Sequence, residues 1–86
     1  MKIQNHLKIT GFIASDVSFG PDEAYANFNI IHPGNPNLFL HCFAQDKGLQ
    51  EILSLRPKKG DEVFLTAFLR NHKNGICAVI QSVRKN

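Results

Sequence analysis

Apolar and polar residues alternate along most of this chain, and the alternation breaks into five runs. A repeat of two marks a strand with one buried face. The first run, about Ile3 to Ala14, sets Leu7, Ile9 and Ile13 on one face with Gly11, and His6, Lys8, Thr10 and Phe12 on the other. Glycine inside a strand weakens it unless a bend needs the room, so Gly11 predicts a tightly curved sheet. Ser18 to Glu23 reads as a turn. The second run, about Ala24 to Ile31, alternates Ala26, Phe28 and Ile30 with Tyr25, Asn27 and Asn29, and Pro33 to Pro36 closes it.

The third run, Leu38 to Ala44, opposes Leu38, Leu40 and Cys42 to Phe39, His41 and Phe43. The fourth, Glu62 to Arg70, opposes Val63, Leu65, Ala67 and Leu69 to Phe64, Thr66, Phe68 and Arg70. After a turn at Asn71 to Gly75, the fifth runs from Ile76 to about Val83; adjacent Val79 and Ile80 leave its facing open. Between runs three and four the period changes. Leu49, Ile52 and Leu53 form one helical stripe, with Asp46 as the expected N-cap and Pro57 as the stop. Such a short helix needs tertiary support. The order β-β-β-α-β-β predicts an all-β fold: a five-stranded Greek-key barrel of the OB type, its helix plugging one end.

Composition narrows the picture. Eighty-six residues form one domain, 1–86, and a chain this short buries only about 60% of its unfolded surface. Self-association would supplement that core. Ten Lys and Arg oppose seven Asp and Glu, a net +3. Residues 1–55 carry three basic and five acidic groups, while residues 56–86 carry seven and two. Positive potential therefore gathers in the last third, where a polyanion can use it. Cys42 and Cys77 form no paired motif and sit in strand-like runs, which fits small core residues in a reducing, cytoplasmic setting. No apolar run is long enough to span a membrane, and the Met1–Asn5 opening has no signal-peptide core.

If the aliphatic faces form the core, the other faces carry Phe12, Tyr25, Phe39, Phe43, Phe64 and Phe68. Bases stack on such rings for about 1–3 kcal/mol each while Lys and Arg follow the phosphates. Phe39 and Phe43 flank His41 on one face, and Asn27 adds hydrogen-bonding groups. Arg70, His72 and Lys73 bracket the last turn, a place where OB-folds grip ligands. Lys58, with Arg56 and Lys59, marks the helix end, and Arg84 and Lys85 read as a solvated terminus.

These residues resemble the bacterial single-stranded DNA-binding protein family and its shorter relative, the primosomal replication-restart protein B. Asn5-His6-Leu7-Lys8-Ile9-Thr10-Gly11-Phe12-Ile13 is similar to the family's N-x-V-x-L-x-G-x-L opening, with Asp16 close behind. Ala26-Asn27-Phe28-Asn29-Ile30 resembles its A-N-F-x-L strand, Cys42-Phe43-Ala44 with Leu49-Gln50-Glu51 its third strand and helix start, and Lys59-Gly60-Asp61-Glu62-Val63 its K-G-D-x-V turn. The resemblance spans about residues 5–83. It implies a homodimer or homotetramer that binds single-stranded DNA, with Phe43 on a base-stacking position and Arg70 on a basic one. It also implies subunit pairing along the first-strand edge at His6, Lys8 and Thr10.

Departures from the family refine the expectation. Tryptophan is absent, the His32–Asn37 loop is short, Val17 replaces a proline, and no acidic tail follows Arg84-Lys85-Asn86. The resemblance therefore points toward the primosomal relative or a version from a mobile element, with replication proteins as further candidate partners. No cofactor is expected. Neither cysteine has a neighbouring base in sequence, no C-x-x-C or H-x-x-x-H spacing suggests zinc, and no glycine-rich phosphate loop is present. Catalysis is not expected. An OB-fold protein-interaction module and an RNA-binding barrel remain open from the residues alone.

Overall fold

The computed structural model describes residues 6–32, 34–72 and 75–85. Its elements are β1 (His6–Ile13), β2 (Ser18–Phe19), a 3-10 turn (Pro21–Glu23), β3 (Ala26–His32), β4 (Asn35–Ala44), α1 (Asp46–Leu55), β5 (Glu62–His72) and β6 (Gly75–Lys85). The strands lie in the order β1-β5-β6-β4-β3-β2, and β1 returns to pair with β3. Five long strands thus close a barrel, with the helix between the third and fourth of them.

Closure depends on one glycine. β1 pairs with β5 from His6 to Phe12 and crosses to β3 at Phe12 and Ile13. At this crossing a Cβ on Gly11 would sit 2.8 Å from the Ile31 carbonyl oxygen. The expected bend is there, and only glycine admits it. The Lys58–Asp61 turn bolts the same corner: Gly60 takes φ +94°, which favours glycine. Its N–H donates to Ile13 O at 2.8 Å, and Ile13 N–H to Asp61 O at 2.9 Å. The Asp61 carboxylate accepts the Lys58 backbone N–H at 2.8 Å and meets Lys85 Nζ at 3.4 Å. That backbone bond, then Lys85, holds the Asp61 carboxyl below the usual carboxylate range.

The core is aliphatic with one ring. Ile13, Phe28, Ile30, Ile52, Val63 and Leu65 are fully buried, joined by Ala26, Cys42, Ala44, Ala67 and Ala78. α1 packs on β6 and β4, with Leu49 and Ile52 inward. A Cβ on Gly48 would overlap the Ile80 carbonyl oxygen, so glycine lets the helix lie directly on β6.

Several boundaries differ from the expectation. Ser18 and Phe19 form a short strand on β3 rather than part of a turn; Pro21, whose fixed φ suits a helix start, opens the 3-10 turn that follows. β4 begins at Asn35 because His32 pairs with it after a register shift. β5 and β6 run on to a His72–Gly75 pair, leaving two residues between them. Asp46 is the first helical residue with φ +55°, and no side-chain hydrogen bond caps α1. The expected start at Ile3 lies outside the described residues. A bulge resolves Val79 and Ile80: Thr66 pairs with Ser82 but Ala67 with Ile80. The extra residue turns Ile80 and Val83 into the core and sends Val79 to the outer face.

Candidate nucleic-acid interface

The strand registers lay one row of side chains across the outside of the barrel. Asn27 on β3 pairs with Phe43 on β4, Phe43 with Val79 on β6, Val79 with Phe68 on β5, and Phe68 with His6 on β1. Strands lie about 4.8 Å apart, so the row spans roughly 19 Å as it wraps. One step toward the β5–β6 hairpin, Asn29 pairs with His41 and Cys77 with Arg70. A further step along β4, Phe39 pairs with Ile31 and is 66% exposed.

Two of these residues, Phe43 and Arg70, meet Tyr25 of the segment before β3. The Tyr25 and Phe43 rings stack with centroids 5.7 Å apart and planes inclined by 30°. The Arg70 guanidinium lies over the Phe43 ring at 5.7 Å. Tyr25 reaches Phe43 from the side of the neighbouring strand β3, and Arg70 from β5, beyond β6. Tyr25 lies so close to Gly20 that a Cβ there would overlap its ring. His41 Nδ1 sits 3.1 Å from Asn29 Oδ1 on the same face. Among the described residues, Arg70 has no carboxylate partner. Rings, a free cation and amide groups sharing an exposed face can stack bases and hold phosphates.

The other expected residues fall elsewhere. Phe64 belongs to a second outer group, between Thr10 and Arg84 in register, with the Arg84 guanidinium 5.3 Å over its ring. Arg84 and Lys85 are therefore not a loose terminus: both are β6 residues, one on a ring and one on Asp61. Lys58 lies in the corner turn, lining a recess of about 260 Å³ with Phe19 and Arg56. That Arg56 stacks on Phe19 and pairs with Glu23 at 3.5 Å. His72 ends β5 opposite Gly75, and Lys73 lies outside the described residues. Phe12 is half-buried on the outer side of β1. His6, Lys8 and Thr10 face Phe68, Thr66 and Phe64. Among the described residues, the other edge of β1 from His6 to Gly11 has no strand partner.

Both cysteines are buried. Cys42 is buried in the core, and burial, reinforced by Cys77, pushes its thiol up to about 12, where it stays protonated at neutral pH. Cys77 is 2% exposed. Among the described residues, no group of three or more His, Cys, Asp or Glu side chains is placed to hold a metal ion, and no helix is long and apolar enough to cross a membrane.

A closed barrel with this strand order and this helix position is an OB-fold. Solved structures share it over nearly the whole chain. The SSB domain of a Synechococcus sp. protein superposes with a TM-score of 0.76 at 20% identity, covering 98% of each chain. The second single-stranded DNA-binding protein of Mycobacterium smegmatis gives 0.79 at 13%, covering 98% of this chain and 90% of its own. The mitochondrial single-stranded DNA-binding protein of S. cerevisiae gives 0.78 at 18%, covering 99% and 100%. At these identities the likeness is one of fold. No protein-family model and no functionally curated protein matches the sequence.

Proposed function

We propose that this protein binds single-stranded DNA without sequence preference, as a homodimer or homotetramer, and serves DNA replication, restart, recombination or mobile-element transfer. The observation that carries the reading is the Tyr25–Phe43–Arg70 assembly on the outer face of an OB barrel. The solved proteins that share the fold, described as binding single-stranded DNA, support it. Phe39, His41, Asn27 and Phe68 extend the contact surface around that centre, and His72 and Lys73 are further expected contacts by their place in the sequence. Phe64 and Lys58, which lie apart from it, serve as outer contacts. Base stacking and phosphate pairing need no chemical step, so the protein acts by binding alone. Subunits pair through the free β1 edge around His6, Lys8 and Thr10, since an unpaired strand edge is a template for another chain.

The test is a titration of fluorescein-labelled oligo-dT with the intact protein at low salt, read by anisotropy. It is repeated with RNA, with duplex DNA and at rising salt. The expected result is tighter binding to the single strand than to duplex, weakening steeply with salt through counterion release. Absence of binding to oligo-dT at low salt overturns the reading, and tighter binding to RNA redirects it to RNA.

A further inference from the structure

We infer that a recess beside the Phe43 platform receives a second nucleotide, so that the smallest unit recognised is a dinucleotide whose bridging phosphate sits on Arg70. The inference rests on the reading of the protein as a single-strand binder. The recess lies between the start of α1 and the outer face of β5 and β6, and holds about 640 Å³, a size typical of small-ligand sites. Its lining includes Asp46 and Lys47 from the helix and Phe68, Arg70, Gln81 and Ser82 from the strands. Gly48, which brings α1 onto β6, also borders it.

Tyr25 and Arg70 already pack against the Phe43 ring. Phe68 differs: it is half-buried, and among the described residues neither a ring nor a cation stacks on it. It therefore supplies the open stacking surface of this region. Gln81 and Ser82 offer donors and acceptors to a base edge. The Asp46 carboxylate on the lining repels a phosphate but accepts hydrogen bonds from a base, so a base rather than a phosphate is turned toward it. The phosphates are drawn instead to Lys47 and Arg70, the two cations of the lining. Arg70 borders both the recess and the Phe43 ring, which places it between two successive bases.

Binding of fluorescein-labelled oligo-dT is compared for the intact protein and the Phe43→Ala, Phe68→Leu and Lys47→Ala variants. Phe68→Leu is expected to weaken binding about fivefold or more, the scale of one lost stack. Lys47→Ala is expected to flatten the salt dependence by about 0.7 in log–log slope. In parallel, 5-iodouracil oligonucleotides are photo-crosslinked to the unmodified protein, with adducts expected at Phe68 and in the first turn of α1. If Phe43→Ala weakens binding while Phe68→Leu and Lys47→Ala bind like the parent, the recess is overturned and single-strand binding stands. Crosslinks confined to β4 overturn it too, even where Phe68→Leu fails to fold. Failure of the parent to bind oligo-dT removes both readings together.

Discussion

The Arg70 guanidinium lies over the Phe43 ring at 5.7 Å although a whole strand, β6, runs between their two strands. The contact crosses Val79 and Cys77, whose small side chains leave the way clear. It joins a cation to the centre of the stacking surface before any ligand arrives. Arginine at this place holds a planar, always-charged group over a ring, which lysine does only as a point charge.

Arg70→Ala should therefore lower affinity for oligo-dT and flatten its salt dependence by about 0.7 in log–log slope, the share of one phosphate contact. Arg70→Lys should keep the slope and lose affinity only modestly. Titrations at several salt concentrations read both quantities. An unchanged slope in Arg70→Ala would show that the guanidinium touches no phosphate.

Phe43→Ala should weaken single-strand binding by about 1–3 kcal/mol, the worth of a stacked base. Phe43 stands outside the buried core, so the variant should still fold. Circular dichroism and the thermal midpoint check the fold, and anisotropy checks the binding.

Alanine for glycine at an ordinary helix position stabilises by roughly 0.5–1 kcal/mol. At Gly48 the sign should reverse, because the new methyl would overlap the Ile80 carbonyl oxygen. Forced overpacking of this kind costs about 1–3 kcal/mol. For a chain this short, each kcal/mol lowers Tm by roughly 4–8 °C. Gly11→Ala, whose methyl would stand 2.8 Å from the Ile31 oxygen, should also destabilise. A Tm equal to or above the parent's for Gly48→Ala would mean that α1 does not press on β6 as described.

The Asp61 carboxyl titrates lower in the folded chain than in the unfolded one, chiefly through the Lys58 N–H and then Lys85. A depressed carboxyl stabilises above its unfolded value, near 3.9, and the effect fades as pH falls through the folded one. Asp61→Asn should thus be less stable than the parent at pH 7, and the gap should shrink as pH falls below about 4. Thermal melts of both proteins at pH 7, 5 and 3 follow the difference. A gap that stays constant would leave the carboxylate without a part in the barrel corner.

Alternation made most of the barrel legible, because a strand with one buried face writes its period directly into the chain. Gly11 was legible because a mid-strand glycine marks a local backbone demand, and the Lys59-Gly60-Asp61 turn through its likeness to the K-G-D-x-V pattern. The bulge opposite Thr66 was not, since an inserted residue shows itself only against a partner strand, and Val79 and Ile80 alone stay ambiguous. Asp46 has the chemistry of a cap, but its positive φ and place inside the helix deny it that role. In the candidate site the outward facing of the rings was readable and their partners were not. Tyr25 and Arg70 are forty-five positions apart and meet only through the strand order. Arg84 looked like a loose end because nothing local announces a strand that continues to Lys85.

Tyr25, wedged between Gly20 and Phe43, is the chain's one tyrosine, and the chain has no tryptophan. Intrinsic emission excited in the near ultraviolet thus originates from a single spot. Any molecule that settles there changes the brightness of the unlabelled protein, giving a dye-free signal whose source needs no assignment.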